Sequence, residues 1–460
     1  MALAIVPDLR FFLGAALLVG ALPVQAQAPK LDAELNRAWA AGYRAGFVCS
    51  SLWNGSGKPL DAIERDELTG IYPEIEGDVR VLKADVDAAA RRVSVTYRDD
   101  MPPRVAAWSG REGCITLPIG ARPTEAVPAT ERRIDLDSRP WPIGDKDAAL
   151  PVPEAMTKFD RTAMNMASFG GRTSSFLVVK KGRIALEHYW GGHDLHTAQR
   201  TFSVAKSMAA TLIGHAVHRG RIDVIKPAMI ADWQAPGDPR AAITTEQLMR
   251  MASGLTSDTA GNRSDAIYMG GASVRQWTVQ WPLLHQPGTR YRYANNDTLL
   301  ATLSLKAAEH QAGTALDPAA FFDRLGMTRT FVERDKDGDY ILSSQVWTTA
   351  RDLARLGLLY RNNGMVQGER LLPAAWRRFV TMASGPQPDG AFGYGAGFWL
   401  FNKSKGIPAD AFGAFGNRGQ YLIIIPSRDL VIVRQGYDDA KNRLDIAKLV
   451  EAVVAADDVR

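Results

Sequence analysis

The chain has 460 residues, of which 46% are hydrophobic and 23% charged, a globular balance without disordered bias and too long for one small core. Its formal net charge is only +5, with Lys and Arg scattered. The basic stripe with interleaved aromatics that nucleic-acid binding needs is missing, so no nucleic-acid partner is expected.

The first 26 residues read as an export signal. Arg10 precedes the apolar run FFLGAALLVGALPV, and Val24-Gln25-Ala26 supplies a small-residue cleavage site. About 14 apolar residues fall short of the roughly 20 that span a bilayer. No cysteine follows the cleavage site to take a lipid anchor. The expected address is periplasmic or secreted, with no membrane anchor after cleavage.

Residues 27–120 alternate helical stretches, LDAELNRAWAAGYRAGFV and PLDAIERDEL, with strands such as RRVSVTYRD, which predicts a small α+β domain. The chain's only two cysteines, Cys49 and Cys114, both lie here. An exported protein with one pair commonly oxidises it, and closing so long a loop contributes on the order of 4 kcal/mol in the chain-entropy model. Two buried thiols are the other reading. Residues 121–153 carry Pro123, Pro128, Pro140, Pro142, Pro151 and Pro153 with little apolar periodicity, which predicts an extended connector at a domain boundary.

Residues 154–460 open on a hairpin, SSFLVVKKGRIALEHYW, turning at Lys181-Gly182. A helix follows in TFSVAKSMAATLIGHAVHRG, ended by Gly220, and then a mostly helical middle to about residue 380. Strands return in GFWLFN and GQYLIIIPSRDLVIVRQGY, and a last amphipathic helix covers about 442–455. Strands at both ends with helices between predict one sheet built from the two termini of the domain.

Within the helix, Ser203 and Lys206 stand three apart and face the same way, so the amine can reach the hydroxyl. A serine becomes a nucleophile when a neighbour takes its proton, and a lysine does so when burial or a second cation depresses its pKa. Two polar residues on an ordinary helix surface are the bland alternative. The competing G-x-S-x-G signature is absent. Metal chemistry is not expected: HYWGGHDLH, with His188, His193 and His196, lacks the H-E-x-x-H spacing and reads as a surface turn, and DKDGDY at 335–340 reads as a tight turn. No cofactor is called for.

Taken in order, TFSVAKSMAATLIGHAVHRGRID, ITTEQLMRMASGL, PGTRYRYANND, TTARDLARLGLLYRNNG and AFGNRGQYLIIIPSRDLVIV resemble the serine hydrolases of the β-lactamase-like fold. The likeness is to the branch of class C β-lactamases, bacterial esterases and 6-aminohexanoate-dimer hydrolases, over about residues 150–455. It implies an α/β sandwich with an antiparallel sheet and a helical subdomain. It further implies that Ser203 is acylated, that Lys206 accepts its proton, and that Tyr293 of the YAN motif passes a proton to the leaving group. Tyr293 would then need its pKa lowered by nearby positive charge. Asn295 would orient Lys206 or the substrate, and the backbone N–H groups of Ser203 and Asn417, beside Gly416, would form the oxyanion hole. The family's K-T-G or H-x-G motif aligns with Ala414-Phe415-Gly416, so its cation is missing and β-lactam hydrolysis is put in doubt. Arg418 either replaces that cation or is a solvated surface residue. Glu246 reads as a helix-start acid rather than a deacylation base. Tyr268, Trp277 and Trp281 are candidate walls of an acyl pocket, though each is more commonly core.

The expected function is hydrolysis of a small ester or amide through an acyl-enzyme. A β-lactamase or D,D-peptidase acting on cell-wall peptides is the second reading, favoured by export. A non-catalytic binding or sensor protein that keeps the fold is the third, and no feature specifies an oligomeric state.

Overall fold

A computed structural model describes residues 28–55, 57–122, 135–149, 166–257 and 264–458. The export signal and Pro123, Pro128, Pro151 and Pro153 of the connector lie outside the described residues.

The N-terminal unit contains helices α1 (Ala28–Trp53), α2 (Leu60–Asp66) and α3 (Pro73–Val81) and an antiparallel sheet. Its strands are β1 (Ala84–Asp87), β2 (Arg92–Val95), β3 (Arg104–Trp108) and β4 (Cys114–Thr116), in spatial order of sequence. Period-two alternation in RRVSV buries Val93 and Val95 and leaves Arg92 and Ser94 half-buried. Cys49 on α1 and Cys114 on β4 form a disulfide with Cα atoms 6.2 Å apart, so the pair is not two free thiols. The core of this unit is not its own. Tyr43, Phe47 and Cys49 pack in one cluster with Ile267, Tyr268, Leu299 and Trp347 of the later chain.

The described part of the connector, residues 135–149, folds into turns instead of running extended. Trp141 is buried in the main core, where its indole N–H donates to the Gly182 carbonyl at 2.7 Å. Asp145 accepts from Arg355 at 2.6 Å and Arg329 at 2.7 Å, so residues 135–149 are docked by an aromatic plug and an ion-pair cluster.

The main sheet begins with β5 (Thr173–Lys180) and β6 (Arg183–Tyr189), joined at Lys181-Gly182, whose φ values of 49° and 82° suit a primed hairpin turn. A small three-stranded sheet holds β7 (Gln199–Arg200), β8 (Phe331–Val332) and β9 (Val346–Thr348). Hairpin strands β10 (Met365–Val366) and β11 (Glu369–Arg370) precede β12 (Gly393–Tyr394), β13 (Trp399–Leu400), β14 (Phe412–Gly416), β15 (Gln420–Ile425) and β16 (Leu430–Gly436). The large sheet runs β12-β13-β14-β15-β16-β5-β6 and is antiparallel throughout, so its two halves come from opposite ends of the domain, as the sequence pattern predicts.

Helix α4 (Val204–His218) lies against α5 (Asn295–Gln311) and, together with α6 (Ala350–Arg361), packs on one face of this sheet, while α7 (Ile446–Asp458) covers the other face. The continuous apolar runs of β15 and β16 follow from this two-sided burial: Leu422, Ile424, Val431 and Val433 face α4 and α6, while Ile423, Ile425, Leu430 and Ile432 face α7. The architecture is an α/β sandwich with an antiparallel sheet and a helical subdomain, in agreement with the fold class read from the sequence.

Candidate active site

Ser203 stands immediately before α4, at the position that caps the helix. Phe202 before it has φ +49°, a conformation that costs a residue with a Cβ on the order of 1 kcal/mol and persists only where the surroundings hold it. The surroundings do so: the Arg200 guanidinium lies 4.3 Å from the Phe202 ring centroid and 4.6 Å from that of Phe47 on α1.

Lys206 is 2% exposed, one turn into α4. Its Nζ lies 3.0 Å from Ser203 Oγ, and it donates to Asn295 Oδ1 at 2.6 Å and to the Ser343 carbonyl at 2.8 Å. All three partners are neutral. Burial, and secondarily the charge of Arg200, push the Lys206 amine down to about 7, so near neutral pH a large share of it is unprotonated and able to accept a proton.

Tyr293 sits over this amine, its ring centroid 5.1 Å from Lys206 Nζ. Its hydroxyl interacts with Ser203 and with Trp399, whose ring centroid is 5.3 Å away. The expected lowering of its pKa is not found. Burial pushes the phenol up to about 12, and the contacts to Ser203 and Trp399 only moderate that rise. Asn295 opens α5, and its Oδ1 accepts from Lys206 Nζ.

Strand β14 passes beside the serine. A Cβ on Gly416 would lie 2.1 Å from the Thr201 carbonyl oxygen and 3.3 Å from Ser203 N, so only glycine permits this approach. Ala414, two residues earlier, is fully buried against the α4 and α6 layer. Asn417 follows Gly416, and its Oδ1 accepts the Arg418 N–H at 2.9 Å.

Arg418 fits neither reading made of it. It is 7% exposed, and its guanidinium donates to the carbonyls of Asp66 and Thr69, each at 2.8 Å. It is therefore neither a solvated surface residue nor a cation free to grip a substrate carboxylate. The GGHDLH stretch is a turn with Gly191 and Gly192 exposed, as read from the sequence, and within it His193 is half-buried, bonds Tyr437 Oη at 3.2 Å and is pushed down to about 4, chiefly by burial. Tyr268 is core: its hydroxyl bonds Ser343 Oγ at 2.6 Å. Trp277 packs against the same cluster and meets Trp281 edge to face at 5.9 Å. Glu246 lies in the first turn of a short helix, paired with Arg250 at 2.7 Å, as expected of a helix-start acid. The turn at 335–340 closes through Gly338 N–H to the Asp335 carbonyl at 3.2 Å.

Three residues of the centre were missed from sequence: Arg200, Ser343 and Trp399. Arg200 stands three residues before the serine, a possible signal. Ser343 acts through a backbone carbonyl, which leaves no sequence trace.

The Beta-lactamase family model matches residues 163–447. The 6-aminohexanoate-dimer hydrolase of Paenarthrobacter ureafaciens is 22% identical over 377 residues, covering 68% of this chain and 88% of that protein. A penicillin-binding protein homologue from Caulobacter crescentus superposes with a TM-score of 0.52 at 17% identity, over 66% of this chain and 98% of the other. A family VIII carboxylesterase gives a TM-score of 0.52 at 17% identity, again over 66% of this chain and 98% of its own. With the sheet, the buried helix and the ordered motifs in place, the match over more than half of its length shows that this chain belongs to the Beta-lactamase family.

Proposed function

We propose that the protein is a serine hydrolase that cleaves a small ester or amide through an acyl-enzyme on Ser203. The observation that carries this is the buried amine of Lys206, 3.0 Å from Ser203 Oγ among neutral acceptors and lowered to about 7. As Oγ attacks the acyl carbon, its proton passes to Lys206 Nζ. The carbonyl oxygen becomes an oxyanion beside the backbone N–H groups of Ser203 and Asn417, and such donors each contribute roughly 3 kcal/mol to transition-state stabilisation. The bond to the leaving group breaks as the Tyr293 hydroxyl gives it a proton, and Lys206 restores that proton to Tyr293. With its pKa near 12, Tyr293 acts as a protonated donor, not as a standing phenolate. Water then attacks the ester carbon and loses its proton to the same pair, and as the bond from that carbon to Ser203 Oγ breaks the pair returns the proton to Oγ and the acid leaves.

The β-lactamase or D,D-peptidase reading is weaker. Ala414 stands where the family cation is expected, and Arg418 is committed to Asp66 and Thr69. An exported, periplasmic or secreted protein remains our reading of the address. The Cys49–Cys114 disulfide supports it, and no helix among the described residues is long and apolar enough to cross a membrane. We retain the domain boundary within 121–153.

The test is turnover of 4-nitrophenyl butyrate, an amino-acid amide, 6-aminohexanoate dimer and nitrocefin, with intact mass followed in parallel. Ser203→Ala should lower ester turnover by at least ~10³-fold. Turnover that survives the substitution overturns the mechanism. Rapid nitrocefin hydrolysis would promote the β-lactamase reading, and absence of both turnover and acylation would favour a sensor.

A further inference from the structure

Arg418 lies one residue beyond Asn417 and ties this part of the site to the N-terminal unit. Its backbone is left-handed, with φ 57° and ψ 24°, a conformation that a residue with a Cβ keeps only when its surroundings hold it. Its side chain reaches away from Ser203. Nη1 donates to the Asp66 carbonyl and Nη2 to the Thr69 carbonyl, both at 2.8 Å. Asp66 is the last residue of α2, where carbonyls lack intrahelical partners, and Thr69 lies in the turn that follows, so a planar guanidinium fork spans the two carbonyls.

The far end of this clamp is anchored. Asp66 is paired with Arg172 at 3.0 Å, and the Tyr437 ring lies 5.4 Å beneath the Arg418 guanidinium. Tyr437 in turn donates to Glu67 at 2.8 Å. The near end is anchored too, because the Arg418 carbonyl accepts from Asp438 N–H and Gln420 Nε2, each at 3.1 Å. The same unit reaches the other wall of the site through Phe47, which stacks on Arg200 under Phe202.

We propose that Arg418 is a positioning residue through which the N-terminal unit holds the Gly416-Asn417-Arg418 turn, and with it the Asn417 N–H, in register with Ser203. The inference rests on the reading of Ser203 as nucleophile and Asn417 as oxyanion donor. It gives residues 28–122 a role in the reaction without placing any of them against the substrate.

The experiment measures full-chain kinetics on 4-nitrophenyl butyrate, inhibition by phenylboronic acid as an analogue of the tetrahedral state, and melting temperature. Arg418→Met should lower kcat by about 10- to 100-fold with KM within about twofold, and should weaken the boronic acid in parallel. Arg418→Gly tolerates φ 57° yet loses the clamp, so it should be as slow as the methionine variant. Arg418→Lys should recover part of the rate by reaching one carbonyl. Gly70→Ala, at φ 69°, strains the turn that presents the Thr69 carbonyl and should give a smaller loss of the same kind.

Arg418→Gly or Arg418→Met with kcat within about twofold of wild type overturns the proposal, as does a loss confined to KM or to melting temperature. If the methionine variant does not fold, wild-type kcat in both Arg418→Lys and Gly70→Ala overturns it. Normal kinetics in Arg418→Met beside an inactive Ser203→Ala removes this proposal alone, whereas turnover surviving in Ser203→Ala removes the reading beneath it.

Discussion

Two lysines buried among the described residues keep opposite company. Lys206, at the start of α4, meets a hydroxyl, an amide oxygen and a backbone carbonyl, none of them charged. Lys58, at the junction of the N-terminal unit with the main sheet, is 9% exposed and lies 3.3 Å from Glu67 and 3.9 Å from Asp66, with the Tyr437 hydroxyl alongside. Neutral acceptors satisfy an amine's geometry without compensating its charge, so burial there creates a base. Carboxylates compensate the charge, so the same side chain becomes a tie between two parts of the chain.

The sharpest way to break this comparison is to remove each amine. Lys206→Met should lower kcat/KM on 4-nitrophenyl butyrate by on the order of 10³-fold, the usual scale for loss of a positioned base. The same variant should be more stable than wild type. The folded pKa of Lys206 is depressed from 10.5 to about 7, so between these values the unfolded chain binds more protons and stability rises with pH. Replacing the amine removes that penalty, and melting temperature should rise by about 2–4 °C near pH 7, the gain shrinking as pH approaches 10.5. A methionine variant that melts lower at pH 7 would contradict the neutral-acceptor account.

Lys58→Met should act in the opposite direction. Asp66 keeps Arg65 and Arg172, each at 3.0 Å, but Glu67 is left buried without its cation, which costs about 3 kcal/mol, and chemical denaturation should show the loss. Its pH profile for kcat/KM should keep the wild-type acid limb. The smallest effect concerns that limb in the wild type. In the proposed mechanism Lys206 is neutral when it takes the serine proton, so kcat/KM should rise with pH through about 7 and fall roughly tenfold for each unit below it. A limb near pH 4 or 5 would point to a carboxylate base instead. Asp297, beside Ser253, and Glu333 are both pushed up to about 7 by burial and are the acids to separate from Lys206, and Asp297→Asn and Glu333→Gln should each leave the limb in place.

Local pattern carried much of the fold. The hairpin of β5 and β6, helix α4, and the apolar runs of β15 and β16 were legible because each element's periodicity or turn chemistry lies within a dozen residues. Helix α3 and strands β1, β3 and β4 were not distinguished, being short and depending on one shared core with Tyr268, Leu299 and Trp347. In the site, Ser203, Lys206, Tyr293 and Asn295 were legible as motif positions, and the structure brings their side chains together. Arg418 was misread because the Asp66 carbonyl that claims it lies 352 residues away in the chain.

The sequence alone determined which groups would meet: a serine and a lysine one turn apart on a helix face, a tyrosine and an asparagine on a second element, and a glycine able to pass close to the serine. Tertiary structure decided what those groups are. A side chain's proton affinity and direction are set by desolvation and by neighbours from remote segments, so only the packed molecule lowers Lys206, raises Tyr293 and turns Arg418 from the substrate toward the N-terminal unit.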